Sequence, residues 1–239
     1  MSLVIGTAGW SIPAMNRDAF GAGDTGLARY ATRFGGVEIN SSFHRPHRRE
    51  TWARWASSVP AAFRFAAKLP KTISHERKLV DCDDLVGRFL DEVGGLGDKL
   101  AILLLQLPPK LAFDPLTAKP FLAALAASSR AKLVCEPRHA SWFEPACDIL
   151  LERLGIARVA ADPAVVPAAA VPGGWRGLGY WRMHGSPVMY RSSYDDGRLD
   201  GYAAFLRVER DAGRPSWCIF DNTAASAAAG DALGLLTRL

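Results

Sequence analysis

Polar and charged side chains recur at the ends of apolar segments, and several of them come in pairs two residues apart. The pairs are Glu38 with Asn40, Glu136 with Arg138, and Arg182 with His184. Residues i and i+2 of a β-strand point to the same face, so each pair presents two functional groups side by side. Other segments of this kind end in Lys68, Gln106, Asp162, and Asp221 with Asn222. We therefore expect acids, bases and amides from distant parts of the chain to meet at one end of a sheet.

Five residues are candidates to move a proton or to attack a substrate: Glu38, Glu136, His139, His184 and Lys68. Burial at a strand end raises the pKa of a carboxyl group, whereas neighbouring Arg and Lys side chains lower it, and the sequence leaves both directions open. A lysine in such a position can form a Schiff base with a carbonyl compound. For Lys68 we prefer the interpretation that it contacts an anion or a carboxylate.

Two arginines suggest that the site binds an anion. Arg138 and Arg182 carry the planar guanidinium group that holds phosphate or carboxylate through two parallel hydrogen bonds. The loops after the last two apolar segments begin with His184-Gly185 and Asp221-Asn222, and loops in this position often form phosphate sites with the start of a helix. We predict an anion pocket centred on Arg182, Gly185 and the start of the final helix.

The predicted substrate-binding set adds amide and aromatic side chains near the same strand ends. Its members are Trp10, Asn40, Gln106, Arg138, Trp142, Arg182, Gly185, Asp221 and Asn222. The aromatic rings could stack on a base or a sugar, and packing within the loops is the alternative. The segment from Pro187 to Leu199 is predicted to be a lid over this site.

The same charged residues allow two other interpretations. A buried ion-pair network could be formed by Glu38, Lys68, Glu136, Arg138 and Arg182, although desolvation makes such networks poor stabilisers. A divalent metal could find suitable ligand types in Glu38, Glu136, Asp162, His184 and Asp221. Nearby basic side chains would repel a cation, and no metal-binding motif occurs, so we predict no metal ligands and assign no cofactor.

Eight short apolar segments are the predicted strands that position these residues. They are Leu3–Ala8, Gly36–Asn40, Arg64–Leu69, Leu100–Leu107, Lys132–Pro137, Ala157–Asp162, Gly179–Gly185 and Ser216–Asn222. Several are continuously apolar, which is typical of parallel strands covered on both faces.

Helical periodicity separates most of the strands. Apolar residues at i, i+3, i+4 and i+7 mark helices around Leu27, Trp52, Leu85, Phe121, Ile149 and Tyr202. A last helix is predicted to follow Thr223, which could cap it. The segment Pro163–Gly177 is rich in Pro, Ala and Gly and is predicted to be an irregular loop.

This alternation of strands and helices predicts a single domain over residues 1–239, a (β/α)8 TIM-type barrel with an irregular connection between the sixth and seventh strands. The length of 239 residues is usual for a bare barrel. An open doubly wound sheet is the alternative, but the glycine fingerprint after its first strand is absent. Active sites of barrels lie at the carboxyl ends of the strands, where the polar residues are predicted to meet.

The composition is that of an ordinary globular protein, with 49% hydrophobic and 22% charged residues. The chain has no run of 18 apolar residues, so we predict no membrane span. Met1–Gly9 resembles a strand rather than a signal peptide. The four cysteines are scattered, which favours reduced thiols in a cytoplasmic protein. The net charge of +5 is compatible with an anionic ligand or with nucleic acid, of which we favour the former. The oligomeric state is left open.

Several motifs, taken together and in order, resemble the YecE-like family of domains of unknown function. They are Gly6–Trp10, Val37–Phe43, Phe65–Lys68, Ile73–His75, Leu105–Pro109, Glu136–Trp142, Arg182–Gly185 and Phe220–Thr223. The resemblance implies a TIM-barrel fold and no established activity. It also adds His75 to the predicted binding residues. The chain departs from the family at His44, where Tyr is usual, at Pro137, where Phe is frequent, and at Asp221, where Asn is common.

Three functions compete at this stage. We prefer an enzyme that binds a small or nucleotide-like anionic substrate, with a glutamate moving a proton. A metal-dependent hydrolase or nuclease is the second, on analogy of fold alone. A non-catalytic nucleic-acid-binding module is the third, with Arg45, Arg48, Arg49 and Arg54 as its basic surface.

Overall fold

A computed structural model describes residues 3–239 of the chain, so Met1 and Ser2 of the predicted amino-terminal segment lie outside the described residues. Ten strands are present within this range. They are β1 (Leu3–Thr7), β2 (Gly36–Ile39), β3 (Arg64–Lys68), β4 (Leu100–Gln106), β5 (Lys132–Glu136), β6 (Ala157–Arg158), β7 (Ala160–Asp162), β8 (Gly173–Gly174), β9 (Gly179–Met183) and β10 (Ser216–Phe220). Each of the eight predicted segments contains at least one of them.

The strands form two sheets, one of four strands in the order β1-β10-β9-β7 and one of six in the order β2-β3-β4-β5-β6-β8. All neighbouring pairs are parallel except β6 with β8, which is antiparallel. Parallel pairing brings the carboxyl ends of the strands, and hence the polar residues, to the same side. The mixed α/β fold with parallel sheets is as predicted.

The described strands do not form one continuous hydrogen-bonded ring, so the predicted closed barrel is not observed. At one junction of the sheets, the contact is an isolated parallel bridge between Ala8 and Glu38, with the Gly9 amide donating to the Glu38 carbonyl at 2.8 Å. At the other, the predicted sixth strand is divided at Val159. The Val159 amide still bonds to β5, through Cys135, whereas the following residues pair with β9.

The described residues also form eight α-helices. They are α1 (Gly26–Tyr30), α2 (Ser41–His44), α3 (Arg49–Ser57), α4 (Asp83–Val93), α5 (Pro115–Ala127), α6 (Pro145–Arg153), α7 (Asp196–Asp211) and α8 (Ala228–Leu236). The prediction that Thr223 caps the last helix is wrong. A turn closed by the Ser226 amide on the Thr223 carbonyl comes first, and Ser226 has a positive φ of 64°, which interrupts helical geometry before Ala228.

The connection between β7 and β9 is irregular, as predicted. It contains a short 3₁₀ helix, Pro167–Ala170, and the two-residue strand β8. Among the helices of residues 3–239, none is both long and apolar enough to cross a bilayer. All four cysteines, Cys82, Cys135, Cys147 and Cys218, are buried free thiols.

Two apolar clusters hold the fold together. The larger lies between the sheets and the helices. The smaller lies on the opposite face of the strands and includes Val4, Ile102, Val134, Tyr180 and Ile219. Tyr180 and Arg182 of β9, and His184 immediately after the strand, stand at alternate positions. The apolar cluster is therefore continuous with the polar site through successive side chains on one face.

Candidate functional site

Arg182 is the centre of the polar site and is fully buried, with an exposed fraction of 0%. Its Nη2 donates to Glu38 Oε1 at 2.7 Å and to Asp221 Oδ2 at 2.8 Å, and its Nη1 donates to Glu136 Oε2 at 2.5 Å. The Nε–H group also faces Glu38, 3.0 Å from Oε2. One guanidinium therefore joins carboxylates from β2, from β5 and from the residue after β10.

The two glutamates that contact Arg182, Glu38 and Glu136, are fully buried. Glu38 accepts a further hydrogen bond from Tyr180 at 2.8 Å, and burial followed by the Glu38 charge holds the pKa of Tyr180 well above its usual value. Burial alone would raise the pKa of Glu136, but Arg182, Arg138 and His184 outweigh it and keep this carboxyl well below its usual pKa. Glu136 is thus held as a carboxylate.

The His184 ring bridges two carboxylates. Its Nε2 lies 2.9 Å from Glu136 Oε1, and its Nδ1 lies 3.1 Å from Asp221 Oδ2. Arg138 Nη2 lies 2.8 Å from the same Nε2 and 2.6 Å from Glu136 Oε1. An imidazolium would donate to both carboxylates, whereas a neutral ring with its proton on Nδ1 would accept from Arg138 at Nε2.

Lys68, at the end of β3, carries an amino group without a polar partner among residues 3–239. Its Nζ lies 4.2 Å from the centre of the Phe43 ring, and no described carboxylate oxygen comes within 4.0 Å of it. The residue is 7% exposed. Burial, followed by the charge of Arg182, lowers the pKa of Lys68 to about 8 against the opposing pull of Glu136, Asp221 and Glu38.

A cleft of about 790 Å³ opens above these residues, within the usual size range of small-molecule sites. Six predicted site residues line it: Asn40, Lys68, His75, Gln106, Arg138 and Asp221. The remaining wall includes Phe43, His44, Val165, Met189 and Tyr190. Met189 and Tyr190 come from the predicted lid segment, so this segment borders the cleft.

Two buried atoms at the cleft have unmet hydrogen-bonding capacity. Arg138 Nε, a donor, and Asn40 Oδ1, an acceptor, have no partner among the described residues. The Asn40 amide nitrogen donates to Asp221 Oδ1 at 3.2 Å, which fixes the orientation of the side chain. Unpartnered buried polar groups are rare in folded proteins, so both atoms are available to an ordered water or a ligand.

His75 is one of two histidines that line the cleft, the other being His44. His75 Nδ1 lies 2.9 Å from the Ser74 hydroxyl, and its ring packs edge-on against Phe43. Burial, followed by the charges of Lys68 and Arg138, lowers the pKa of His75. The ring is therefore held in its neutral, basic form at neutral pH.

Other predicted site residues lie away from the cleft. His139 Nδ1 accepts from the Ser141 amide and caps the 3₁₀ helix Ala140–Phe143. Trp142 is buried, and its Nε1 donates to the Leu111 carbonyl at 2.9 Å. Trp10 packs edge-on against Trp55. The structure gives these three residues roles in capping and packing.

Gly185 and Asn222 hold the loop after β9 rather than presenting free groups. The Gly185 amide donates to the Tyr194 hydroxyl at 2.9 Å. Asn222 Nδ2 donates to the Ser192 carbonyl and to Asp231 Oδ2 of α8. Since the Arg182 guanidinium is also surrounded by carboxylates, the cations available to an anion are Arg138 and Lys68, and the centre of the expected pocket moves towards β3 and β5.

Three of the acids considered as metal ligands, Glu38, Glu136 and Asp221, contact Arg182 instead. Glu136 and Asp221 also contact His184. Within residues 3–239, no group of three or more His, Cys, Asp or Glu side chains is arranged to hold a metal ion. Asp162 lies apart from the cluster, where it accepts from Arg198 and Tyr202 of α7.

Tyr180 is the contact of the charged cluster that the sequence reasoning missed. It stands two residues before Arg182 on β9, so the spacing that identified the pair Arg182 and His184 also points to it. Phe43, which covers the Lys68 amino group, ends the motif Val37–Phe43 but is not among the predicted site residues. Its contact depends on the short helix α2, which periodicity does not reveal.

Comparisons with known proteins agree with the motifs. The model of the family described as "Protein of unknown function DUF72" matches residues 4–239. The UPF0759 protein YecE of Escherichia coli K12 is 34% identical over 173 residues, which cover 70% of this chain and 61% of the relative. The UPF0759 protein YecE of Escherichia coli O157:H7 is 38% identical over 106 residues, which cover 44% of this chain and 38% of that relative. The matches therefore span less than two thirds of these relatives.

Solved structures show the same fold. The DUF72 family protein EF0366 of Enterococcus faecalis V583 superposes with a TM-score of 0.82 and 20% identity, covering 99% of this chain and 95% of that one. The DUF72 family protein TM1631 of Thermotoga maritima MSB8 gives a TM-score of 0.79 at 20% identity, with 99% and 98% covered. The family match over nearly the whole chain confirms the resemblance seen in the motifs, and the chain belongs to the DUF72 family of proteins of unknown function.

Proposed function

We propose that this protein is an enzyme that acts on a small molecule bearing a carboxylate or phosphate, bound in the cleft above Arg182. One observation supports this most strongly: Arg138 Nε is a buried donor without an acceptor, and Lys68 brings a second positive charge to the same cleft. A buried donor left unpaired costs about 1–3 kcal/mol. An anion between the two side chains would remove this cost.

The ligand would also carry a hydroxyl or N–H group beside its anionic group. Asn40 Oδ1 is a buried acceptor without a donor, and Gln106 lines the same wall. A 2-hydroxy acid or a sugar phosphate combines both features, whereas inorganic phosphate offers the charge alone. We expect affinity to rise with the added hydroxyl.

His75 is our candidate to move a proton on this ligand. Its lowered pKa leaves the ring unprotonated at neutral pH, so it can accept a proton. The residue lines the cleft. Glu38 and Glu136, which the sequence suggested for this role, are 0% exposed and engaged with Arg182. Their function in this proposal is to hold Arg182 and His184 in place beneath the ligand.

The two sheets would be parts of one eight-stranded barrel in a single domain. The Ala8–Glu38 bridge joins β1 to β2, and β6 and β7 are successive segments on either side of Val159. Consecutive strand order through β2, β3, β4 and β5 also differs from the reversal expected of a doubly wound sheet. A barrel would explain why the polar strand ends surround one cleft.

Calorimetric titration with glycolate, which has a carboxylate and a neighbouring hydroxyl, tests the proposal. We expect Lys68→Met and Arg138→Gln each to weaken binding by about ten-fold, equal to about 1.4 kcal/mol. Arg54→Gln is the matched control, because Arg54 is exposed and this substitution removes the same charge. Equal glycolate affinities in all three variants would reject a small-anion site. So would a wild-type protein that binds a single-stranded oligonucleotide instead of glycolate, with equal oligonucleotide binding by Arg138→Gln.

A further inference from the structure

The Lys68 amino group differs from the other lysines for which the structure records contacts, of which Lys132 also lies over an aromatic ring, that of Trp175, but is exposed. Lys71 pairs with Glu76 at 3.4 Å, and Lys99 Nζ donates to the carbonyls of Ala56 and Val59. Lys68 instead lies in the cleft wall against the face of Phe43, without a described hydrogen-bond acceptor. A desolvated amine is costly to protonate, and its neutral form is a nucleophile.

The charged cluster does not require Lys68 as a counter-charge. Its carboxylates are those of Glu38, Glu136 and Asp221, and its arginines are Arg138 and Arg182. Each of these carboxylates accepts from an arginine at 2.5–2.8 Å, and none lies within 4.0 Å of Lys68 Nζ. A neutral Lys68 therefore leaves every one of them with an arginine partner.

We propose that Lys68 forms an imine with the carbonyl group of the substrate, and that Arg138 holds the substrate's anionic group. This inference rests on the function proposed above and names its substrate class as small aldehydes or ketones bearing a carboxylate or phosphate. Arg138 and Lys68 both line the cleft.

The step is balanced without a cofactor. The lone pair of the Lys68 amine forms a bond to the carbonyl carbon, and the π pair of the carbonyl moves to its oxygen. Both amine hydrogens then leave with this oxygen as water, which gives a neutral imine. His75, a neutral base on the same cleft, can relay these protons from nitrogen to oxygen.

The reaction should depend on pH through Lys68 itself. The charged and titratable groups that act on this amine or line the same cleft are Arg182 of β9, Glu136 of β5, Glu38 of β2, Asp221 after β10, Arg138 after β5, His75 after β3, His44 of α2 and Tyr190 after β9. Burial and Arg182 lower the pKa of Lys68 to about 8. Imine formation should therefore increase from pH 7 to pH 9, whereas an ordinary lysine stays protonated across this range.

Reductive trapping of the full chain with sodium cyanoborohydride tests the inference. Glyoxylate is the anionic aldehyde, glycolaldehyde is the neutral one, and mass spectrometry of peptides locates the adduct. We expect Lys68 to be labelled at least about ten-fold faster than Lys71 at pH 8, because about half of its amine is neutral there, whereas an ordinary lysine with a pKa of about 10.4 is almost entirely protonated. Lys68→Arg, which keeps a positive charge, should lose the fast adduct, and Arg138→Gln should lose the preference for glyoxylate.

Labelling of Lys68 no faster than Lys71, or a fast adduct that persists in Lys68→Arg, would overturn the imine. The two proposals fail in different ways. Fast labelling of Lys68 by both aldehydes, with no effect of Arg138→Gln, supports the imine and rejects the anion site. Glycolate binding that depends on Arg138, without fast labelling of Lys68, supports the anion site and rejects the imine.

Discussion

Arg182 shows how one residue can organise a buried polar site. Its guanidinium contacts three carboxylates, so removing it leaves several negative charges without their main partner. An ion pair in a protein interior contributes little net stability, yet breaking it from one side is costly. The role of Arg182 is therefore to fix the positions of Glu38, Glu136 and Asp221, whereas Arg138 and Lys68 are the residues that we propose to bind the ligand.

We predict that Arg182→Met destabilises the protein by about 3–5 kcal/mol, the usual cost of uncompensated buried charge. Urea unfolding at neutral pH, followed by circular dichroism, measures this change. Arg176→Met is the control, because Arg176 is an exposed arginine whose contact is a backbone carbonyl. Similar unfolding free energies for the two variants would show that the carboxylates do not depend on Arg182.

For Lys68 we predict the opposite effect on stability, because replacing its amine should stabilise the protein. Its folded-state pKa of about 8 lies below the value of 10.5 for a free lysine, so the protonated amine destabilises the fold below pH 8, and this cost is relieved as the pH rises towards 10.5. Lys68→Met should stabilise the protein by about 1–3 kcal/mol at pH 7, since one pKa unit corresponds to about 1.4 kcal/mol. The gain should shrink at pH 10. Urea titrations of both proteins at the two pH values measure it, and a loss of stability at pH 7 would contradict a desolvated amine.

At the scale of elements, apolar segments and helical spacing predicted every main strand and most helices. They could not predict the break at Val159, because that break depends on which neighbouring strand each residue bonds to. The positions of polar residues at strand ends identified Lys68, Arg138 and Asp221 as parts of one cleft. Alternation along a strand shows which face a side chain occupies, but not whether another residue has already paired with it. This is why Arg182 was expected to bind the anion.

The loop after β9 depends on a glycine that no other residue can replace easily. Gly185 has a φ of +89°, and a Cβ there would lie 2.7 Å from the Ser192 carbonyl oxygen. We predict that Gly185→Ala destabilises the protein by more than 1 kcal/mol. Gly201→Ala in α7, where no atom lies within 4 Å, should instead stabilise it by about 0.5–1 kcal/mol. Thermal unfolding of both variants checks the pair, and equal shifts would contradict the constraint at Gly185.

At the scale of the whole molecule, acid should weaken the fold through the carboxylates around Arg182. Burial would raise the pKa of Asp221, but Arg182 and His184 outweigh it and lower this value, as they do for Glu136. The unfolded chain then binds more protons than the folded one near pH 4, so the stability that these groups contribute is present above that pH and lost below it.

We predict that the unfolding free energy falls steeply between about pH 5 and pH 3. The fall should be shallower in Asp221→Asn, because that variant has one fewer carboxylate to protonate. Urea titrations across this range measure both slopes. Parallel curves for wild type and Asp221→Asn would show that Asp221 is not held as a carboxylate by its neighbours.

The convergence of Arg138 and Lys68 on one cleft is most directly tested by diffraction from crystals soaked in selenate. Data collected at the selenium edge show the anion without reference to the protein contacts. We predict an anomalous peak within hydrogen-bond distance of Arg138 Nε and beside Lys68 Nζ, lost in crystals of Arg138→Gln. Selenate bound at surface arginines while the cleft shows no anomalous density would contradict the proposed site.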